Sequence, residues 1–196
     1  EQKKQQKREV KLLNELRINL QTNVINLTND IDEQKRSTLS IDFLLNHLDN
    51  KLPYNDSLPI LFQDADFIPD VTLSSSAFEI FKSVGFEIIR ADKLRKEIID
   101  LFEIVYPYLM LETKRLEDQV WPAIVLPLYN KHFRREIDKA IPVHYNALLH
   151  DTEITNMLSF RKVMRINSTK QKMIAKNKTE EVIRSINEYL SLKDSK

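Results

Sequence analysis

From Val10 to Leu48 the chain repeats apolar residues at alternating spacings of three and four without a slip. With Val10 as position a of a heptad, the a positions are Val10, Arg17, Val24, Ile31, Thr38 and Leu45. The d positions are Leu13, Leu20, Leu27, Gln34, Ile41 and Leu48. Only Arg17, Gln34 and Thr38 depart from the apolar pattern. Leu12, Leu16 and Leu44 widen the stripe, which favours packing in a bundle over a bare two-stranded coiled coil. Neither Gly nor Pro interrupts the run before Pro53. A helix of about 39 residues at ~1.5 Å per residue is ~60 Å long. It has to lie along other long helices or along a second copy of itself.

The rest of the composition agrees. A sheet protein of 196 residues needs several glycines for turns and bulges, and this chain has 1. The expected fold is all-α: an elongated bundle in one domain, residues 1–196, with long helices over about 5–51 and 152–192 and short or kinked helices between. Residues 1–9 extend the first helix, 53–70 read as a long connecting loop, and 193–196 as a tail. The loop carries Pro53, Pro59 and Pro69, and Leu58, Ile60, Leu61, Phe62, Phe67 and Ile68 give it apolar residues to pack with. Its Asp64-x-Asp66 with Asp70 is a faint echo of a calcium loop, without that loop's Gly or terminal Glu.

Ser76 with Glu79 three residues on forms a capping box for a second helix, which Gly85 ends. Asp92 can cap a third, with Leu94, Ile98, Leu101, Phe102 and Val105 on one face. Pro107 should kink it, and Pro122 and Pro127 should bend or break the chain. Tyr129 to Ile141 reads as another short helix, stopped by Pro142. Asp151 and Thr152 can cap the last helix, in which Asn167-Ser168-Thr169 is a weak point.

Function is bounded mainly by exclusion. With 0 Cys there are no disulfides, thiol nucleophiles or thiolate zinc sites. One glycine rules out a Gly-rich phosphate loop, and no nucleophile elbow or kinase set occurs. His47, His132, His144 and His150 have no mutual helical spacing, and Glu-x-x-His is absent. No catalytic residue, metal or cofactor is expected. A net charge of +1 says nothing of partners, and no apolar run approaches the ~18 residues of a membrane span.

Two constellations remain. Between Ile154 and Thr179 stand seven Lys/Arg and no acid. Arg161, Arg165, Lys172 and Lys176 fall within about 60° of one another at ~100° per residue. They form a candidate face for an anionic partner such as a membrane surface; a solvated face, or one pairing with acids on a neighbouring helix, is the commoner use of such a run. Nucleic acid is the weaker option, because no aromatics interleave for stacking. The aromatic block offers a candidate ligand pocket of Phe102, Tyr106, Trp121 and Tyr129, although an aromatic core is the commoner outcome.

Three segments together carry a resemblance. They are Glu1-Gln2-Lys3-Lys4-Gln5-Gln6-Lys7-Arg8-Glu9 running into Leu12-Leu13-Asn14-Glu15-Leu16; Ser75-Ser76-Ala77-Phe78-Glu79 with Phe81-Lys82-Ser83-Val84-Gly85; and Leu94-Arg95-Lys96-Glu97-Ile98-Ile99. Over roughly residues 1 to 105 the chain resembles a bacterial family of small, single-pass membrane-anchored proteins of unknown function. The resemblance implies a domain beyond a membrane helix, on the extracytoplasmic side, and supplies no catalytic residues. It agrees with a chain that opens without Met and mid-helix, as if an anchor preceded it. Lys3, Lys4, Lys7, Arg8 and Lys11 would then lie beside lipid headgroups, and the same residues would suit a cytoplasmic orientation. The expected function is a non-enzymatic, membrane-tethered domain that binds a protein partner or itself. A sensor-type ligand-binding bundle and a soluble coiled-coil adaptor are the alternatives.

Overall fold

A computed structural model describes residues 2–67 and 71–194, apart from the side chains at 117 and 194. Helix takes 82%, and among the described residues strand is limited to one short hairpin, so the protein is an all-α bundle in which two long helices pack together. These are α1 (Gln2–Asp49) and α8 (Thr152–Asp194). Between them come α2 (Leu58–Asp66), α3 (Ser76–Val84), α4 (Asp92–Asp100), α5 (Tyr106–Arg115), α6 (Leu126–His132), the strands β1 (Phe133–Arg135) and β2 (Ala140–Pro142), and α7 (Tyr145–Leu148). The chain divides into two compact units: residues 1–29, 71–111 and 171–196, and residues 30–70 and 112–170.

In the first unit the start of α1 meets the end of α8. Leu12, Leu13, Leu16 and Leu20 pack with Val182, Ile186 and Leu190, and with Phe78 and Phe81 of α3 and Leu94 and Ile98 of α4. Phe78 stacks on Phe102 at 4.3 Å between ring centres, and Phe102 meets Tyr106 edge-on at 5.1 Å. The expected capping box does not form. The α3 start is capped by α1 instead: Asn19 Oδ1 accepts from Ala77 N–H and from Ser76 Oγ, each at 2.9 Å. A side chain from a neighbouring helix has displaced the local cap. Asp92 likewise lies in the first turn of α4, where it pairs with Arg95 at 2.7 Å and caps nothing. Gly85 does end α3, with φ 92°. No atom lies within 4 Å of where its Cβ would stand, so backbone conformation alone calls for glycine here.

The second unit buries Ile41, Leu44 and Leu48 of α1 against Leu58, Phe62 and Ala65 of α2, Tyr129, Phe133, and Ile154, Met157 and Leu158 of α8. Residues 53–70 are therefore not one loop. Leu58, Phe62 and Ala65 are a short helical stripe, and Pro59 sits in the first turn, where a missing N–H costs nothing. Ile68, Pro69 and Asp70 lie outside the described residues.

The middle prolines act by widening turns. Wider π-helical turns occupy Leu101–Val105, five residues just before Pro107, and Leu116–Val125, ten residues around Pro122. A wider turn relieves the clash between a proline ring and the carbonyl one turn back. The helix expected over Tyr129 to Ile141 stops at His132. Phe133 pairs with Pro142 and Arg135 with Ala140 in a two-stranded hairpin, and Ile137 stands fully exposed at its tip. Helical periodicity loses here because Phe133 is drawn onto Phe62, 4.6 Å away, and Arg135 onto Asp66. Asp151 caps α8 as expected, its Oδ1 accepting from Glu153 N–H at 3.0 Å, and α8 runs unbroken through Asn167-Ser168-Thr169.

Candidate functional site

The second unit hides an unusual amount of charge. α2 ends at Asp66, and its last carbonyls point at α8. Arg161 Nε donates to Ala65 O at 3.0 Å and its terminal nitrogen to Asp66 O at 2.9 Å. Arg165, one turn later, donates to the same Ala65 O at 3.0 Å and to Phe67 O. Two guanidiniums thus satisfy carbonyls that a helix end leaves unpaired and lie at the negative end of its dipole. The Asp66 side chain faces the other way. Its Oδ1 accepts from Trp121 Nε1 at 2.9 Å, and its Oδ2 holds Arg135 at 2.6 Å. Arg135 lies 5.0 Å above the Tyr129 ring, and Tyr129 donates to Phe62 O at 2.7 Å. From α1, Ser37 donates to Asp64 O and Ser40 to Asp64 Oδ2.

Electrostatics follows burial. Tyr129 is fully enclosed, and its phenol is pushed up by desolvation and by nearby Asp66. Burial pulls both α8 guanidiniums below their ordinary value; for Arg165, with cationic Arg161 beside it as the next cause, the value falls to about 9. Arg165 Nε and Gln34 Oε1 are among the buried polar atoms without a hydrogen-bond partner. Both residues line a small cavity with Arg161, Leu116, Val120 and Met164.

The candidate face of cations is thus not a solvent face. Arg161, Arg165 and Lys172 are buried, and Lys176 pairs with Glu180 at 3.4 Å. Arg161 and Arg165 belong to the second unit, and Lys172 and Lys176 to the first. The sequence did carry the signal. Arg161 follows Ile154 and Leu158 by seven and three residues, so it continues the apolar stripe of α8. A cation on a core face has to be paired inside. The candidate pocket is divided too: Phe102 and Tyr106 belong to the first unit, Trp121 and Tyr129 to the second. Phe102 and Tyr106 line an open depression with Val71, Phe78, Pro107 and Met110. Arg135, which completes the charged cluster, had no motif to mark it, whereas Asp66 stood in the faint calcium-loop pattern. Of the calcium-loop acids, Asp64 and Asp66 are engaged as described, and Asp70 lies outside the described residues. Among the described residues no three acids or histidines gather as a metal site.

Elsewhere Asp151 joins Lys131 at 2.6 Å and His132 at 2.8 Å, and the Lys131 hydrogen bond leads in holding its carboxyl down to about 2. In the first unit Glu9 accepts from Arg90 N–H at 3.1 Å, from Tyr189 at 2.5 Å and from Lys193 at 2.9 Å. The outer side of the helix around Pro107 is apolar yet wet. Ile104, Tyr108 and Leu111 are 61%, 53% and 65% exposed, while Phe102, Tyr106 and Leu109 on its other side are buried. Among the described residues no helix is long and apolar enough to cross a membrane. No family model, no curated protein and no solved structure matches the chain.

Proposed function

We propose that this chain is a non-enzymatic helical interaction domain. It binds a second copy of itself or a protein partner, and a segment outside this sequence tethers it to a membrane, on the extracytoplasmic side. The observation that carries the reading is the wet stripe Ile104, Tyr108 and Leu111, at spacings of four and three on a helix whose opposite face already fills the core. A helix apolar all round is normally covered on all sides. Ile18 and Ile25, seven apart on α1 and also exposed, add apolar surface in the same unit. The tether and its side are supported by the resemblance of residues 1 to about 105 alone.

Sedimentation velocity over a concentration series tests the self-association version. The mass is expected to rise with concentration, and the exposed pair Ile104→Glu with Leu111→Glu to hold the chain monomeric with helicity intact. A wild type that stays monomeric, and that cross-links to no protein at the membrane surface in cells, would sink the proposal.

A further inference from the structure

The outer face of α1 in the first unit is basic. Lys3, Lys4, Lys7, Arg8 and Lys11 are all exposed. At ~100° per residue they fall within about 140° of one another, opposite the buried Leu13 and Leu16. Of the five, only Lys11 has an ion pair among the described residues, with Glu15 at 3.8 Å, and both side chains of that pair are exposed. The acid in their midst is turned inside. Glu9 lies ~160° round the helix from Lys11 and is 0% exposed. Its carboxylate accepts from Tyr189, from the Arg90 N–H and from Lys193, whose charge matches its own. Glu9 is spent in the interior, and the five cations face water without it. With Glu1 and Glu15 both set against them, they still leave a net charge of +3. Past Lys193 the charges of Asp194 and Lys196 are equal and opposite.

Farther along, the same face turns apolar. Lys4, Lys11, Ile18 and Ile25 are seven apart, so they lie on one line down the helix. The two isoleucines are 58% and 61% exposed. Cations followed by bare isoleucines match an anionic lipid surface, which draws the first to its phosphates and takes the second at the acyl boundary. Four of the five cations are lysines, point charges that ask no fixed geometry of a fluid array of headgroups. Nucleic acid fits less well, since α1 has no aromatic residue before Phe43 on which a base could stack. We propose that the outer face of α1 in the first unit docks on an anionic lipid surface, with Lys3, Lys4, Lys7, Arg8 and Lys11 at the headgroups and Ile18 and Ile25 at the acyl boundary. This deepens the membrane part of the proposed function and rests on it for the setting, but the contact is made by the chain's own residues and not by the tether.

The test uses the whole chain and vesicles of phosphatidylcholine, either alone or with one part in three of phosphatidylglycerol, with binding read by co-sedimentation. The chain should bind the anionic vesicles in dilute buffer, leave them as sodium chloride shortens the Debye length, and ignore the neutral ones. Lys3→Gln, Lys7→Gln and Lys11→Gln together should lower the partition constant about 100-fold, at about five-fold per cation, with helical circular dichroism unchanged. Ile18→Gln with Ile25→Gln should also lower it, while leaving its salt dependence as it was. No binding to anionic vesicles, equal binding to neutral ones, or full binding by the triple lysine variant would each overturn the docking and leave the tether and the helical interface untouched. Tighter binding to a DNA duplex than to anionic vesicles at equal phosphate concentration would overturn it in favour of a nucleic-acid face.

Discussion

In the first unit the buried polar groups around Tyr106 are neutral and shared. Asn23 donates to the Tyr106 hydroxyl at 3.3 Å, Tyr106 meets Thr179 at 2.8 Å, and the Thr179 hydroxyl donates to Ala175 O at 2.8 Å. Asn23 also bonds Ser74 in both directions, at 2.6 and 3.0 Å. The corresponding centre of the second unit is charged. Two guanidiniums hold three backbone carbonyls, and those carbonyls end a helix that has nothing else in their place. Charge enters the first unit's interior at Lys172, which is 1% exposed, and at Glu9, which has its own ion pair with Lys193. The contrast is one of redundancy. Each neutral group has a second partner to fall back on, whereas each carbonyl of α2 depends on one or two arginines.

The largest expected effect follows from that dependence. Arg161→Ala strips Asp66 O of its donor and leaves Ala65 O on Arg165 alone, a loss of about 3 kcal/mol, the upper end of the cost of leaving a buried acceptor unpaired. Trp121, which bonds the Asp66 side chain, reports on the same place. Its emission should shift to the red, and chemical denaturation should show the lost stability. A loss below about 1 kcal/mol, the worth of one ordinary hydrogen bond, would mean that water replaces the guanidinium freely and that this centre is not dry.

Helix ends give a second comparison. Gly85 closes α3 in the first unit at φ 92°, and Lys51 follows α1 in the second at φ 48°. Gly85→Ala should cost about 2 kcal/mol, since such a φ strains any residue with a Cβ. The open space around it means that no repacking complicates the reading. An unchanged denaturation midpoint would show that the turn after α3 can rearrange.

Tyr106→Phe should cost about 1 kcal/mol, the net worth of a hydrogen bond whose partners keep others. Measured beside Arg161→Ala, it is the direct test of redundancy. Equal losses at the two sites would erase the distinction between the neutral and the charged centre.

How much of this could be read from residues alone divides along the same line. The a and d positions found α1, and Leu13, Leu20, Leu27, Ile41 and Leu48 are indeed buried. Asn23, Ser37 and Ser40 are buried on the same helix but off that seam, because Ser74 and Tyr106 cover the first and Asp64 of α2 the other two. Gly85 was legible because few residues tolerate its conformation. The hairpin at Phe133 was not, since its cause is Asp66 and Phe62, far away in sequence. The arginines of α8 share a wheel angle with one another, and that angle is also the one of Leu158 and Ile154, the core side of the helix. Gln34 of α1 and Arg165 of α8 line one cavity, a proximity that no local pattern carries.

Lys51 is the smallest and sharpest case. It stands where α1 ends, with Lys51 N–H bonded to Leu48 O at 3.0 Å and Leu52 N–H to His47 O at 3.1 Å. That closure needs a positive φ, which the left-handed region charges to any L-residue with a side chain at ~1–2 kcal/mol. Glycine removes the strain but loses more freedom on folding, by roughly 0.5–1 kcal/mol. The two terms nearly cancel, so Lys51→Gly should stabilise by only about 0.5 kcal/mol, the low end of such helix-end changes. The matched pair with Gly85→Ala then has opposite signs and unequal sizes. If Lys51→Gly destabilised instead, the lysine would be contributing through its side chain, and the ends of the two helices would not be governed by backbone conformation alone.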